Sequence, residues 1–145
     1  MRLPDRWRPR LRTARAMLML ALAKLVVATV PFRWWRNSLG RASATASDTT
    51  SEGIQRLTAD LSWAAHRFPF DAKCLPRAMA LSWILRSRKI NHAVVIAVRP
   101  RELRVSADAL HAWIEVDGRR VLGDLAGPWI EAFRSPVQTR VGATQ

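Results

Sequence analysis

The sequence predicts an α+β fold in which N-terminal helices are followed by a small antiparallel sheet. Two observations lead to this prediction. Apolar residues recur with helical spacing in the first ninety residues, and strand-length apolar segments follow them. Between two of these segments stands Asp117-Gly118, the strongest short signal for a β-hairpin with a two-residue type I′ turn.

Length and composition set the first limits. A chain of 145 residues is long enough for one domain with a substantial core. It contains a single cysteine, which excludes an internal disulfide and suits a reducing compartment. No metal-binding motif and no glycine-rich phosphate loop is present, so we expect no metal and no nucleotide cofactor.

The net charge of +13 is unevenly distributed. Residues 1–41 carry ten Lys/Arg and one Asp, whereas residues 42–145 carry 14 Lys/Arg and ten Asp/Glu. Such a basic segment is suited to nucleic acid, an anionic membrane or an acidic protein, although a solvated arginine-rich face explains it equally well. We expect one domain, with a basic N-terminal region at 1–41 and a core at 42–145.

The most apolar segment, 16–32, has three interpretations. A secretory signal is disfavoured because Lys24 interrupts the apolar run and no small-residue cleavage site follows cleanly. A transmembrane helix is disfavoured because the segment is short and Lys24 lies at its centre. We favour a helix packed on the core and ended at Pro31, in a cytoplasmic protein, with contact to a membrane surface as the next possibility. Residues 1–15 are predicted to be basic and loose.

A buried helix is predicted after residue 73. From Ala78 to Leu85 only Ser82 is polar, and a helix that is apolar on nearly all sides is buried. Pro76 fits only in a first turn, so the helix should begin at Cys74 or Leu75. The free N–H groups and the positive end of the helix dipole there favour a thiolate. A lone cysteine is nevertheless most often a small buried hydrophobic residue, so other residues must decide its role.

The remaining elements are predicted from periodicity and turn residues. We expect a helix at 52–67 with one apolar stripe and a central strand at 92–99 with apolar residues on both faces. Asn91 is expected to end the buried helix in a left-handed conformation, and 100–103 to form a loop or short edge strand. Trp129 and Phe133 are expected to pack back on the core, and the last ten residues to fray.

The hairpin register indicates how a catalytic base could be oriented. Strands 110–116 and 119–124 around a two-residue turn place Val116 opposite Arg119, and His111 opposite Asp124. Facing residues in an antiparallel pair have Cβ atoms about 4.5–5.5 Å apart, so the carboxylate can orient the imidazole. A thiol, an imidazole and an acid form the Cys-His-Asp arrangement of nucleophilic catalysis. One residue more or less would turn Asp124 to the other face.

Other titratable residues fit this role less well. Asp117 lies six residues from His111, about 20 Å along a strand, and is better explained by the turn. Glu115 is expected to pair with Arg120 across the hairpin. His66 and His92 are possible bases, but no register places an acid beside either of them.

These motifs resemble the transglutaminase-like superfamily. The matching residues are Cys74-Leu75-x-Arg77-Ala78-x-Ala80-Leu81, a central Val/Ile strand, and His111-Ala112-Trp113-Ile114-Glu115 followed by Gly118 and Asp124. Within the superfamily, the chain is most similar to the leader peptidases of lasso-peptide biosynthesis. The apolar N-terminal helix ending in Pro-Phe-Arg extends the resemblance over nearly the whole chain. One departure is Lys89-Ile90, where that family commonly has a glycine.

The resemblance implies a papain/transglutaminase-like α+β fold and a specific reaction. A cysteine protease of this kind removes the leader from a ribosomally made precursor peptide, with Cys74 as nucleophile, His111 as base and then acid, and Asp124 orienting His111. No cofactor is implied and no nucleic acid. We expect the stand-alone form, which works with a small leader-recognition protein, while a separate cyclase closes the macrolactam.

Two alternatives stay open at the level of sequence. A transglutaminase-like acyltransferase would use the same three residues with an amine as acceptor instead of water. A non-catalytic, basic, membrane-associated scaffold would carry Cys74 as an inert thiol.

Overall fold

The structure is a computed structural model that describes residues 7–41, 50–69, 73–103, 110–123 and 127–135. Within these residues, α-helices come first and one four-stranded antiparallel sheet follows, so the predicted α+β order is confirmed. The helices are Arg8–Thr29 (α1), Phe32–Trp35 (α2), Ser51–Arg67 (α3) and Cys74–Ser87 (α4). The strands are Ala93–Val98 (β1), Leu110–Val116 (β2), Arg119–Leu122 (β3) and Ile130–Ser135 (β4).

Helix α4 is the buried helix that the sequence predicts. It begins at Cys74, and Pro76 lies in its first turn, where the missing N–H removes no helical hydrogen bond. The helix core from Ala78 to Leu85 is almost completely buried, including the one polar residue, Ser82.

The end of α4 differs from the prediction. Lys89, and not Asn91, takes the left-handed conformation, with φ of +58°. The Ile90 N–H donates to the Leu85 carbonyl and the Lys89 N–H to the Arg86 carbonyl, both at 3.0 Å. This pair of bonds is a Schellman motif, in which glycine is the usual left-handed residue. In this motif the residue after the left-handed one is commonly apolar and packs back on the helix. Ile90 holds that position and is buried, which explains why the chain turns here.

A buried polar network fixes α4 to the segment before α3. Ser82 Oγ accepts a hydrogen bond from the Gly40 N–H at 2.9 Å and lies 2.7 Å from His92 Nε2. His92 Nδ1 lies 2.8 Å from the Ile90 carbonyl, which can only accept. The neutral ring with its hydrogen on Nδ1 therefore satisfies both nitrogens. Burial lowers the pKa of His92 against the opposing effect of the Ile90 bond, and Arg86 and Arg41 lower it further.

Helix α1 packs on α3 and α4 through one face. Its buried residues are Ala16, Leu20 and Ala23, and their spacing puts them on one side of the helix. The helix ends before Pro31, as predicted. The prediction of a loose start is wrong for residues 8–15, which are helical, while residues 1–6 lie outside the described part of the chain. No helix in the described ranges is both long and apolar enough to cross a membrane.

The other helices follow the sequence pattern closely. Helix α3 begins one residue before the predicted boundary, and Thr50 caps it by accepting a hydrogen bond from the Gly53 N–H at 3.2 Å. Its predicted apolar stripe is confirmed, with Ile54 and Leu61 buried. Helix α2 is a single turn, and its Trp35 is buried in the core.

The sheet has the order β3-β2-β1-β4, with β1 central as predicted. One face, with Val94 and Ile114, belongs to the core shared with the helices. The other face forms a second cluster of Val95, Ala97 and Trp113 against Trp129.

The predictions for the residues after β1 have different outcomes. Trp129 and Phe133 both pack back, as predicted, on the second cluster and the main core respectively. The edge strand β4 was not predicted from sequence. Residues 101–103 form a 3-10 turn, and the last ten residues lie outside the described part of the chain.

Lys89→Gly is predicted to stabilise the protein by about 1 kcal/mol. A left-handed residue with a Cβ is strained by roughly 1–2 kcal/mol, and the greater backbone entropy of glycine in the unfolded chain offsets part of the gain. Urea unfolding measures the change. Lys89→Ala is the matched control, because alanine removes the long side chain but keeps the Cβ. An equal gain in Lys89→Ala would show that backbone strain is not the cause.

The free energy of unfolding is predicted to fall as the pH decreases below about 6.5, the ordinary pKa of histidine. Because the folded pKa of His92 is lowered, the unfolded chain binds the proton more readily, and protonation favours unfolding. Urea unfolding at several pH values measures this dependence. His92→Gln should flatten the plot of unfolding free energy against pH in this range, while His66→Gln, at an exposed site, should leave it unchanged. A profile that is the same in all three proteins would exclude His92 as the cause.

Candidate active site

Cys74 is the first residue of α4 and is partly exposed. Its thiol lies 3.8 Å from the carbonyl oxygen of Leu110 on β2. No side chain of the described residues caps the N-terminus of α4. The backbone N–H groups of this first turn are therefore left to interact with an anion at the thiol.

His111 follows Leu110 in β2 and lines the same pocket as the thiol. Cys74 and His111 line one pocket of about 260 Å³, together with Arg77, Leu122 and Gly123. Two of the three residues predicted from sequence are thus brought together, although 37 positions separate them in the chain. A thiol and an imidazole in one pocket can act as nucleophile and base.

The tautomer of His111 follows from its hydrogen bond. Its Nε2 lies 2.5 Å from the carbonyl oxygen of Gly123. A carbonyl can only accept, so Nε2 carries the hydrogen and Nδ1 of the neutral ring keeps its lone pair. The ring of Trp129, with its centroid 5.2 Å away, limits the imidazole on one side. His111 is therefore held in a tautomer in which Nδ1 can accept a proton.

The hairpin confirms the predicted turn but not the whole predicted register. Asp117 and Gly118 have φ of +51° and +75°, as a type I′ turn requires. Val116 pairs with Arg119 and Glu115 with Arg120, as predicted, but Ile114 then pairs with Leu122 instead of residue 121.

This β-bulge adds one residue to β3 and shifts all later pairing. The register that would place Asp124 opposite His111 therefore does not continue past Glu115, and that argument is wrong. Asp124 itself lies outside the described residues. Its role as the residue that orients His111 stays a prediction, based on the family resemblance.

Gly123 is required by the close approach of β3 to β2. Its φ is +79°, and a Cβ at this position would lie 2.6 Å from the Ala112 carbonyl oxygen. The backbone can reach His111 only because no side chain is present here. Gly123 thus positions the carbonyl that orients the imidazole.

Arg77 adds a positive charge to the pocket. It lies one helical turn after Cys74, so both side chains project from the same side of α4. Its Nε is buried and has no hydrogen-bond partner among the described residues. The guanidinium is a candidate donor to a negatively charged oxygen that develops near the thiol.

The alternative bases are excluded by their surroundings. His92 is buried and bonded to Ser82 and to the Ile90 carbonyl, so it has a structural role. His66 is exposed on α3 and does not line the pocket.

Glu115 is also accounted for structurally. Arg120 is its cross-strand neighbour, as predicted, and its carboxylate in addition binds Arg134 at 3.0 Å and Trp113 Nε1 at 2.8 Å. Partial burial acts to raise the pKa of Glu115, but the hydrogen bonds from Arg134 and Trp113 outweigh it, and the pKa is lowered. Glu115 therefore stabilises the second cluster as a carboxylate.

A larger groove lies next to the pocket of Cys74 and His111. It has a volume of about 720 Å³ and is lined by polar and apolar residues of α3, by the hairpin turn and by residues of β3 that include Arg119 and Val121. The next residues of the chain, Leu122 and Gly123, line the pocket of Cys74. Strand β3 therefore connects the groove with the pocket. The described residues contain no group of His, Cys, Asp and Glu side chains that could hold a metal ion.

A thiol at the start of a buried helix, with an imidazole lining the same pocket, is an arrangement that cysteine-dependent enzymes use. The family model described as transglutaminase-like superfamily matches residues 11–134. This match covers most of the chain, so the protein belongs to the transglutaminase-like superfamily, whose members include cysteine proteases and acyltransferases. No curated protein and no solved structure matches the chain.

Sequence reasoning did not assign a functional role to three residues of the site, Arg77, Gly123 and Trp129. The helical spacing between Cys74 and Arg77 could have revealed that they share a face. A glycine beside a strand signals a bulge or a close backbone approach, but not which carbonyl a histidine binds. The position of Trp129 follows only from the pairing of β4 with β1.

Gly123→Ala is predicted to destabilise the protein by about 3 kcal/mol or more and to slow alkylation of Cys74 by iodoacetamide. The new Cβ clashes with β2 and is strained at positive φ, and the shift withdraws the carbonyl that orients His111. Cys74 is the only cysteine, so alkylation reports on it alone.

Gly118→Ala is the matched control for this variant. Its φ of +75° is similar, but a Cβ there meets no atom within 4 Å. It should lose only about 1–2 kcal/mol from backbone strain and keep the alkylation rate. Equal behaviour of the two variants would contradict the proposed role of Gly123.

Proposed function

We propose that this protein is a cysteine protease that removes the leader from a ribosomally made lasso-peptide precursor. The observation that carries the proposal is the shared pocket of Cys74 and His111, with the thiol at the N-terminus of a buried helix. Membership of the transglutaminase-like superfamily supports cysteine-dependent chemistry. The motif resemblance to leader peptidases supports the particular substrate.

The proposed reaction begins with proton transfer from Cys74 Sγ to Nδ1 of His111. The thiolate attacks the carbonyl carbon of the scissile peptide bond, and the negative charge moves to the carbonyl oxygen. In this proposal, backbone N–H groups of the first turn of α4 stabilise this oxyanion together with Arg77. The imidazolium then protonates the leaving amine as the C–N bond breaks, which leaves a thioester on Cys74.

Hydrolysis completes the reaction. His111 removes a proton from water as the water attacks the thioester, and Cys74 leaves as a thiolate that recovers the proton. Asp124 has the proposed role of stabilising the imidazolium, while the Gly123 carbonyl fixes the ring. All groups return to their starting state, and no cofactor is consumed.

The groove beside the pocket supports a peptide as substrate. Strand β3 is an edge strand of the described sheet, and the groove lies along it. An extended peptide can pair with a free strand edge through backbone hydrogen bonds, which bind a chain of varied sequence. A peptide on β3 would run directly toward Cys74, because residues 121–123 link the groove and the pocket.

The proposed partners follow from the resemblance. A small recognition protein would present the leader, and a separate cyclase would close the macrolactam on the released core peptide. The single cysteine suits the reducing cytoplasm as the site of this reaction. The genes beside this one should accordingly encode a very short precursor, a small recognition protein and an asparagine-synthetase-like cyclase.

With that precursor and recognition protein, mass spectrometry should detect the free leader, and Cys74→Ala should abolish cleavage because no other residue supplies a thiolate. His111→Ala should be nearly as damaging, since base and acid are lost together. Asp124→Ala should reduce kcat strongly, as orientation of the imidazole accounts for about four orders of magnitude in serine triads. Asp117→Asn is the matched control, because asparagine keeps the turn.

The outcome separates the proposal from its rivals. If Asp124→Ala kept full activity and Asp117→Asn lost activity, Asp124 would not be the residue that orients His111. Omitting the recognition protein should slow cleavage markedly, and an unchanged rate would exclude a need for it. Transfer of the acyl group to an added amine in preference to water would indicate an acyltransferase. An intact precursor and an unreactive Cys74 would favour a scaffold.

A further inference from the structure

Helix α1 has a second apolar face that the fold leaves in solvent. Its large hydrophobic residues are between 40% and 58% exposed. At 3.6 residues per turn they fall within about 60° of one another, on the side opposite the buried residues of α1. We call this face the outer stripe of α1; it consists of Leu11, Leu18, Leu22 and Leu25, together with Trp7, the residue just before the helix.

The outer stripe is too long to be a chance exposure of single residues. From Trp7 to Leu25 it extends about 27 Å along the helix. Just beyond the helix, Trp34 and Phe32 are 70% and 39% exposed. Contiguous apolar surface of this kind marks an interaction site.

Charge indicates what the outer stripe contacts. Residues 7–41 contain eight Lys/Arg and no Asp or Glu. Basic side chains such as Arg10, Arg33 and Arg36 are exposed beside the apolar residues. Leucines flanked by cations, with tryptophans near both ends, are typical of helices that lie in the interface of an anionic bilayer. An acidic protein would satisfy the cations but would not require aromatic residues at both ends.

The helix can bind a membrane without leaving the core. Arg12 pairs with Asp60 of α3 at 2.7 Å, and Arg15 donates to Ser87 Oγ of α4 at 2.8 Å. The face with Ala16 and Leu20 is buried against these same helices. Only the outer half of α1 is therefore free to enter lipid, so the helix must lie along the surface instead of spanning it.

We propose that the outer stripe of α1 attaches the folded protein to anionic membranes. The leucines enter the acyl boundary, the tryptophans lie at the headgroup level, and the arginines contact lipid phosphates. The attachment depends on neither Cys74 nor a peptide substrate, so it stands independently of the proposed function.

Sedimentation with vesicles tests this proposal on the full chain. The protein should bind vesicles of phosphatidylcholine mixed with phosphatidylglycerol and bind pure phosphatidylcholine weakly. Leu18→Gln with Leu25→Gln should reduce the partition coefficient about tenfold or more, because two half-exposed leucines no longer enter the apolar phase. Arg33→Gln with Arg36→Gln should weaken binding to the anionic vesicles alone.

The matched control places the same kind of change elsewhere. Trp63→Gln with Ile130→Gln replaces two large hydrophobic residues of similar exposure, 52% and 54%, outside the stripe. This double variant should bind vesicles like the wild type. Circular dichroism confirms that each variant is folded before binding is compared.

Three outcomes would overturn the proposal. The first is no binding of the wild type to anionic vesicles. The second is binding that salt removes but the leucine changes do not affect, which is electrostatic adsorption. The third is a dimer, detected by light scattering without vesicles and lost in the leucine variant, which would make the stripe an interface between two copies of this chain.

Discussion

The pocket shared by Cys74 and His111 depends on the burial of α4 along most of its length. The apolar side chains of this helix fill the space between α1, α3 and the sheet, so its axis is fixed by contacts on all sides. The first turn reaches the surface and carries Cys74, which is partly exposed. A helix held in this way presents the thiol and the first-turn N–H groups in a defined direction without contributions from flexible side chains. The network of Ser82, His92 and Gly40 adds a polar contact inside an otherwise apolar interface.

The imidazole of His111 is positioned in a different way, by the β-bulge in β3. Strand β3 gains one residue opposite the bond between Ile114 and Glu115, and this brings the Gly123 carbonyl to His111 Nε2. A backbone acceptor does part of what an orienting acid does, since it fixes the tautomer and the ring direction. It supplies no full negative charge, however, so it cannot stabilise an imidazolium as an acid can. The proposed acid, Asp124, would supply the charge that the Gly123 carbonyl lacks.

The structure of α1 explains why the sequence of segment 16–32 allows more than one interpretation. The helix is apolar on two opposite faces, one that packs on the core through Ala16, Leu20 and Ala23 and one of leucines that face solvent. A soluble amphipathic helix would have one apolar face, and a spanning helix would be apolar without Lys24 near its centre. The two faces together satisfy neither pattern. They are accounted for if the helix belongs to the core on one side and to a surface or partner on the other.

The sequence by itself determined the order of helices and strands, the start of α4 to within one residue at Cys74 or Leu75, the type I′ turn and the central position of β1. These features follow from local periodicity, the restricted φ of proline and the turn preference of Asp-Gly, all of which act within a few residues. It also indicated Cys74 and His111 as candidate site residues, through the predicted helix start and the motif resemblance, whereas its register argument for Asp124 was wrong. The tertiary structure alone decided that the two share a pocket, that a bulge shifts β3, that Lys89 takes the left-handed turn and that Trp129 lies beside His111. Each of these depends on packing between segments far apart in the chain. A bulge conserves the hydrophobic pattern before it and changes the register after it, so no pattern within one strand can reveal it.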